Sequence, residues 1–340
     1  MRDAATFTVD HPGFSTQQVI GPSMLSLDGA AHRLHRDPFA APFRLQAIRE
    51  DVTPWIERRA EELLRRVEAE GQADLRRALA RPLAVETMAR VLGLQGIDGD
   101  QLVIWYTQIV DAVDAVTMGE NVTESGRAAF GALSAAVIDS LDSSPLLRMV
   151  AKSGQLTPEE ISSNVAVLLF GGIVTGDGTN SMVIQHLLGT DGLLPRIVEE
   201  PELIPELVDE SLRLEPAAGA VDRYATRDLD LGGESIRTDD LVRVSLTAAN
   251  RDPTHFPDPD RFDIQRANRA KHLTFARGPH SCLGIHLARA EAVAVVAAVV
   301  SRLDRPALVA DEAESPTGLV FRGLAKVPVT WHSRENPAIS

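Results

Sequence analysis

The stretch Phe275-Ala276-Arg277-Gly278-Pro279-His280-Ser281-Cys282-Leu283-Gly284 contains the only cysteine of the chain. A lone cysteine forms no internal disulfide. Cys282 lies between Gly278 and Gly284, beside Arg277 and His280, and ahead of an apolar helical pattern from Leu283 to Leu303. Open backbone on both sides, nearby positive charge and the N–H groups of a helix start favour a thiolate held toward a metal. On the loop alone, a buried inert thiol stays open as an alternative. So does a zinc site with His280 and His286, although no second cysteine or carboxylate pair stands at ligand spacing.

Upstream, Thr157-Pro158-Glu159-Glu160 reads as an N-cap, a proline at the first helical position and a capping-box glutamate. The helix it opens, 157–188, is apolar nearly all round, the mark of a helix through the centre of a molecule. At 1.5 Å per residue it runs roughly 45 Å. Its middle, Phe170-Gly171-Gly172-Ile173-Val174-Thr175-Gly176-Asp177-Gly178, is unusual because each interior glycine costs about 1 kcal/mol against alanine. Four glycines there point to a place where something approaches the backbone, or to a kink at a helix crossing. A phosphate loop is excluded, since no Lys-Ser/Thr follows and no strand precedes.

The rest of the chain gives the frame. Its 340 residues, 44% of them hydrophobic, suffice for a large core read as a single domain over 1–340. Helical patterns cover most of it, including Pro54–Glu70, Leu83–Leu92 and Glu202–Leu214. Short β-rich runs at Val221–Ala225 and Leu241–Leu246 follow, then a proline-rich meander at 252–262. A final β pair is expected near Leu319–Arg322 and Val327–Trp331. The fold class is therefore mainly α with a small β region. A net charge of −14 argues against a nucleic-acid or membrane-surface binder. No membrane span, apolar leader or need for an oxidising compartment is read, so a cytoplasmic protein is expected.

Taken together, these motifs resemble the cytochromes P-450, the cysteine-ligated haem enzymes. Their haem loop has the form F-x-x-G-x-x-x-C-x-G, which Phe275, Gly278, Cys282 and Gly284 match in full. Their E-x-x-R pair is matched by Glu210 and Arg213, which by the resemblance lock the core to the meander. Their propionate-binding residues are matched by His32 and Arg36, four apart, by Arg223 and by His280. Two carboxylates on a buried cofactor need such cationic donors. The family's small-Gly-x-acid-Thr groove is matched by Gly171, Gly172 and Thr175, but Val174 stands where the acid belongs. A valine relays no proton, so Asp177, three residues on, is the expected substitute, or else substrate and ordered water.

The resemblance runs from Phe7 to Trp331. It implies the cytochrome P-450 fold, with haem b (iron protoporphyrin IX) between the central helix and the cysteine loop. The implied activity is insertion of one oxygen atom from dioxygen into a small apolar molecule, by hydroxylation or epoxidation in secondary metabolism. Electrons would come from a ferredoxin-type donor and its reductase, docking near Arg277 and Arg289. Substrate contacts are expected from 10–24, 104–122, Ala217–Val221 and Gly318–Val320, with Val174, Ala220, Val221, Leu319 and Val320 as candidates. The missing acid leaves two alternatives: a peroxide-driven, coupling or desaturating enzyme, or a non-catalytic haem ligand-binding protein. Family members normally carry a further helix and two strands before Phe7. Without them the strand at Leu241–Leu246 is expected to present an open edge, through which the chain would oligomerise or lose stability.

Overall fold

The computed structural model describes every residue except Gln95, Ala310, Asp311, Ala313 and 334–340. Its axis is the helix Pro158–Gly189, capped as its sequence requires. Thr157 Oγ1 accepts from the Glu160 N–H at 3.2 Å, and Glu160 Oε2 accepts from the Thr157 N–H at 2.8 Å. The reciprocal box satisfies two orphan donors, a contribution of about 1 kcal/mol. By length and composition this helix would cross a bilayer, but 72% of its most apolar window is buried inside the molecule. It is the core helix that its two-sided apolarity implies.

Around it pack Arg81–Leu92, Ile204–Leu214 and Ile285–Arg302. Glycine sets the closeness of one contact. A β-carbon on Gly172 would stand 2.4 Å from the Met88 sulfur, so the missing side chain is what lets Met88 of the Arg81–Leu92 helix fill that position. Gly171, by contrast, faces open space, with nothing within 4 Å of its would-be β-carbon.

The β structure is small and antiparallel. Strands β1 (Phe7–Thr8), β2 (Gln72–Asp74), β3 (Ala220–Ala225), β4 (Leu229–Leu231), β5 (Glu234–Ile236), β6 (Leu241–Ser245), β7 (Asp304–Leu308) and β8 (Pro328–His332) form two three-stranded sheets and a hairpin. The orders are β1-β3-β6, β2-β8-β7 and β4-β5. Val221 pairs with Val244 and Phe7 with Ala225. Among the described residues β6 pairs with β3 alone, so it forms an edge.

One expected pairing is corrected. Residues 319–322 do not form a strand against 327–331. The partners of β8 are β2 and β7, while Phe321 makes only an isolated bridge to Ala218. The Gly219 N–H donates to the Val320 carbonyl and the Arg322 N–H to the Ala217 carbonyl, at 2.7 and 2.8 Å. These bonds carry 320–321 to the cavity described below.

Candidate active site

Glu210 and Arg213 are fully buried, with the carboxylate forked onto the guanidinium by two 2.8 Å hydrogen bonds. Arg213 also donates to the carbonyls of Asn250, Pro259 and Arg261. Glu210 Oε1 accepts from the Asp263 N–H and from Arg266 Nε, at 3.0 and 3.1 Å. A buried ion pair is tolerable only when its remaining valences are filled in this way. The network reaches the cysteine loop through Asn250, which accepts from the Leu273 N–H and donates to Thr274 Oγ1. Asn250, Arg266 and Thr274 carry no motif of their own, and the sequence reading missed them.

The loop itself turns at Gly278, whose φ of +88° is cheap only for glycine. The Cys282 N–H donates to the Phe275 carbonyl at 2.9 Å, which closes the loop behind the thiol. The following helix begins at Ile285 rather than Leu283, with Gly284 as its cap. The sulfur is open to an internal cavity and enclosed by protein elsewhere. Burial pushes the thiol up in pKa, while the Gly284 N–H and the Arg36 charge act in the opposite direction.

The cavity has a volume of about 510 Å³. Gly171, Gly172 and Thr175 of the central helix line it, as do Cys282, Phe275 and Gly284 of the loop. Thr175 Oγ1 donates to the Gly171 carbonyl at 2.5 Å, which leaves its lone pairs for a donor in the cavity. Apolar walls come from Val113, Val116, Leu168 and Phe321, and also from Ala220, Val221 and Val320. Met88, Val167 and Glu291 line it too, and no motif announced them.

Three candidates are corrected. Asp177 is not at the cavity. It is buried beneath Arg76 and Arg81, whose guanidiniums reach it at 2.8 and 3.1 Å, and it ties the central helix to the 76–81 segment. Val174 packs partly buried against the core rather than on the cavity wall. Leu319 is 68% exposed and also off the wall, because the bridge at Phe321 turns Val320 inward instead.

One end of the cavity concentrates positive charge. Arg36 and Arg223 both line it, and burial lowers both pKa values. Neither has a carboxylate within ion-pair distance among the described residues: Arg36 donates to the Ser281 carbonyl and Arg223 to that of Asp222. The His32 ring lies against that of His280, centroids 4.3 Å apart and planes tilted by 49°, and its buried Nε2 has no partner. Burial first, then the His280 and Arg36 charges, push His32 down to about 4. His280 Nε2 is held by Asp28 Oδ1 at 2.9 Å. Burial opposes the charge of Asp28, but hydrogen bonds from Thr8, His280 and Val9 outweigh it and keep the carboxyl below its usual range. Guanidiniums with no ion-pair partner among the described residues and an orphaned imidazole nitrogen fit a dianionic edge of a large planar cofactor. Among the described residues no group of three or more His, Cys, Asp or Glu is arranged around a metal ion, so the zinc alternative has no ligand set.

Of the residues proposed for partner docking, Arg277 is exposed, whereas Arg289 pairs with Asp209 at 2.8 Å.

The family model described as Cytochrome P450 matches residues 197–307, which hold the Glu210/Arg213 pair and the cysteine loop. The chain is 32% identical to Cytochrome P450 107B1 of Saccharopolyspora erythraea over 331 residues, covering 94% of this chain and 79% of that protein. It is 31% identical to the mycinamicin IV hydroxylase/epoxidase of Micromonospora griseorubida, covering 96% and 84%. Among solved structures, P450BioI in complex with an acyl carrier protein ligated to hexadec-9Z-enoic acid superposes with a TM-score of 0.86. That match has 28% identity and covers 97% of this chain and 89% of that one.

Proposed function

The chain belongs to the cytochrome P450 family and is a haem-binding monooxygenase; from that premise we propose that the Cys282 thiolate is the residue that would hold the iron of haem b in the cavity. The observation that carries this is the lone thiol facing Gly171 and Thr175 across an apolar-walled space with unpaired arginines at one end. Bound there, the haem would supply the activation of dioxygen.

The protein's own residues do the rest. Arg36, Arg223 and His32 hold the propionates. Asp28 orients His280 beside them. Gly171, without a side chain, leaves the cavity open beside the central helix, where the Thr175 hydroxyl would accept and pass on protons. Glu210 and Arg213 keep the meander and the loop in place behind the sulfur. Val113, Val116, Leu168 and Phe321 exclude water and orient an apolar substrate.

The substrate we infer is a small, largely apolar molecule of secondary metabolism, hydroxylated or epoxidised, in keeping with relatives such as the mycinamicin IV hydroxylase/epoxidase. A ferredoxin-type donor with its reductase supplies electrons at the face bearing exposed Arg277, and the protein works in the cytoplasm as one domain. The test is turnover of a panel of macrolactones, fatty acids and terpenes, with ferredoxin and reductase or with peroxide. Product formed only with the redox partners and dioxygen supports the reading. Product formed only with peroxide contradicts it, and no product and no substrate-induced spectral shift under either condition favours a ligand-binding role.

A further inference from the structure

Among the described residues three carboxyl side chains line the cavity: Asp114, Asp222 and Glu291. Arg243 grips Asp222 through two hydrogen bonds of 2.7 Å, and Glu291 lies buried beside Asn180. The Asp114 carboxyl has no hydrogen bond and no ion pair among the described residues. It stands one turn before the end of the helix Gly99–Thr117 and is exposed. Val113, Val116, Thr117 and Gly119 line the cavity with it, while Met118 is 81% exposed, so this stretch forms a rim of the cavity.

We propose that Asp114 is a specificity residue that pairs with a cationic amine on an otherwise apolar substrate; the proposal rests on the monooxygenase reading. The ammonium meets the carboxylate at the rim, and the hydrocarbon body lies along Val113, Val116, Leu168 and Phe321. A neutral molecule of the same shape leaves Asp114 without a counter-charge and binds less tightly.

The rim lacks every ordinary source of positive charge. No Lys, Arg or His occurs between Arg90 and Arg127, whereas Asp98, Asp100, Asp111, Asp114, Glu120 and Glu124 do. The end of a helix favours cations, yet no basic residue stands in the last turn of Gly99–Thr117. Cations on the helices packed against it are committed elsewhere. Arg127 donates to the Val122 carbonyl, Arg81 pairs with Asp177, and Arg90 lies over the Trp55 ring. The helix Ser15–Ile20 carries no charge. Burial first, then the Asp111 charge, raise the Asp114 pKa, and neither Arg36 nor Arg223 acts on it. Asp114 is therefore apart from the arginine end of the cavity, and a bound cation would relieve both causes of its shift. The net charge of −14 adds long-range attraction for a cationic ligand.

Calorimetric titration of the haem-loaded protein tests this with octyl, decyl and dodecyl chains ending in trimethylammonium or in hydroxyl. A quaternary nitrogen has no lone pair for iron, so its binding reports on the cavity wall alone. In wild type the cation should bind more tightly than the alcohol of equal length. D114N keeps the shape and breaks no bond, so it should melt no lower than wild type. It should cut the cation-to-alcohol affinity ratio about tenfold and leave the alcohol unchanged. D114E should keep most of the ratio, and D111N should change it less than about twofold. No cation preference in wild type, a ratio unchanged in D114N, or an equal loss in D111N overturns the proposal. The reduced carbon monoxide spectrum of the same preparation is an independent readout. Absence of the red-shifted band there overturns the haem reading, while a cation preference lost only in D114N still stands as a property of the cavity.

Discussion

Arg36 Nη2 donates to the Ser281 carbonyl at 2.7 Å, joining the Gly29–Arg36 helix to the residue before Cys282 across 245 positions of sequence. The same guanidinium lines the cavity without a carboxylate partner among the described residues. Arg36→Ala should therefore weaken haem binding by about 2 kcal/mol, on the order of thirtyfold, as expected for one charged hydrogen bond in a buried site. Arg223→Ala should do the same. The rate of haem transfer to an acceptor globin measures it, and transfer at the wild-type rate from both variants would contradict the assigned role.

Glu210→Ala leaves Arg213 buried with an unpaired charge, and Arg213→Ala strands Glu210 in the same way. Breaking such a pair costs about 3–5 kcal/mol. Both variants should accumulate as insoluble protein or melt far below wild type in thermal denaturation. A loss under about 1 kcal/mol in either would mean that the meander is held by other contacts.

Asp177→Asn separates stability from chemistry. It removes the charge that Arg76 and Arg81 share, and should lower the urea midpoint by an amount corresponding to about 3 kcal/mol. Product per electron in the surviving folded fraction should stay at the wild-type value, because the carboxyl is not at the cavity. Lost coupling with stability intact would restore Asp177 as a proton source.

Stability should fall on both sides of mildly acidic pH, for opposite reasons. His32, His186 and His272 are pushed down, chiefly by burial, to about 4, about 4 and about 3. The unfolded chain therefore binds more protons, and stability that is complete above about 6.5 is lost as pH drops toward 4. Glu291 is raised to about 7, so the folded chain binds more protons, and stability that is complete below about 4.5 is lost as pH rises through 7. Glu291→Gln should thus gain about 3 kcal/mol over wild type at pH 8 and little at pH 4.5, by urea denaturation. No gain at pH 8 would place the Glu291 pKa in the ordinary range.

The cysteine loop, the central helix and the Glu210/Arg213 pair were legible because each is a local pattern: a turn with its glycines, a capping box, or two residues on one helical face. What decides the remaining positions comes from far away in the chain. Asp177 follows Val174 by three residues, but Arg76 and Arg81, about a hundred positions earlier, claim it. Residues 319–322 have the composition of a strand, yet the edge of β8 is already taken by β2 and β7. Glu291 did leave a signal, as a single acid in a helix apolar on most faces. Only the long-range packing that sets it against Gly176 and Asn180 shows that it lines the cavity.

The central claim is that the Cys282 thiolate ligates haem in this cavity. Its most direct test is the spectrum of the reduced, haem-loaded protein under carbon monoxide. The account predicts a strongly red-shifted Soret band in wild type that Cys282→Ser abolishes. An unshifted Soret band in haem-replete wild-type protein, or a red-shifted band retained by Cys282→Ser, would contradict it.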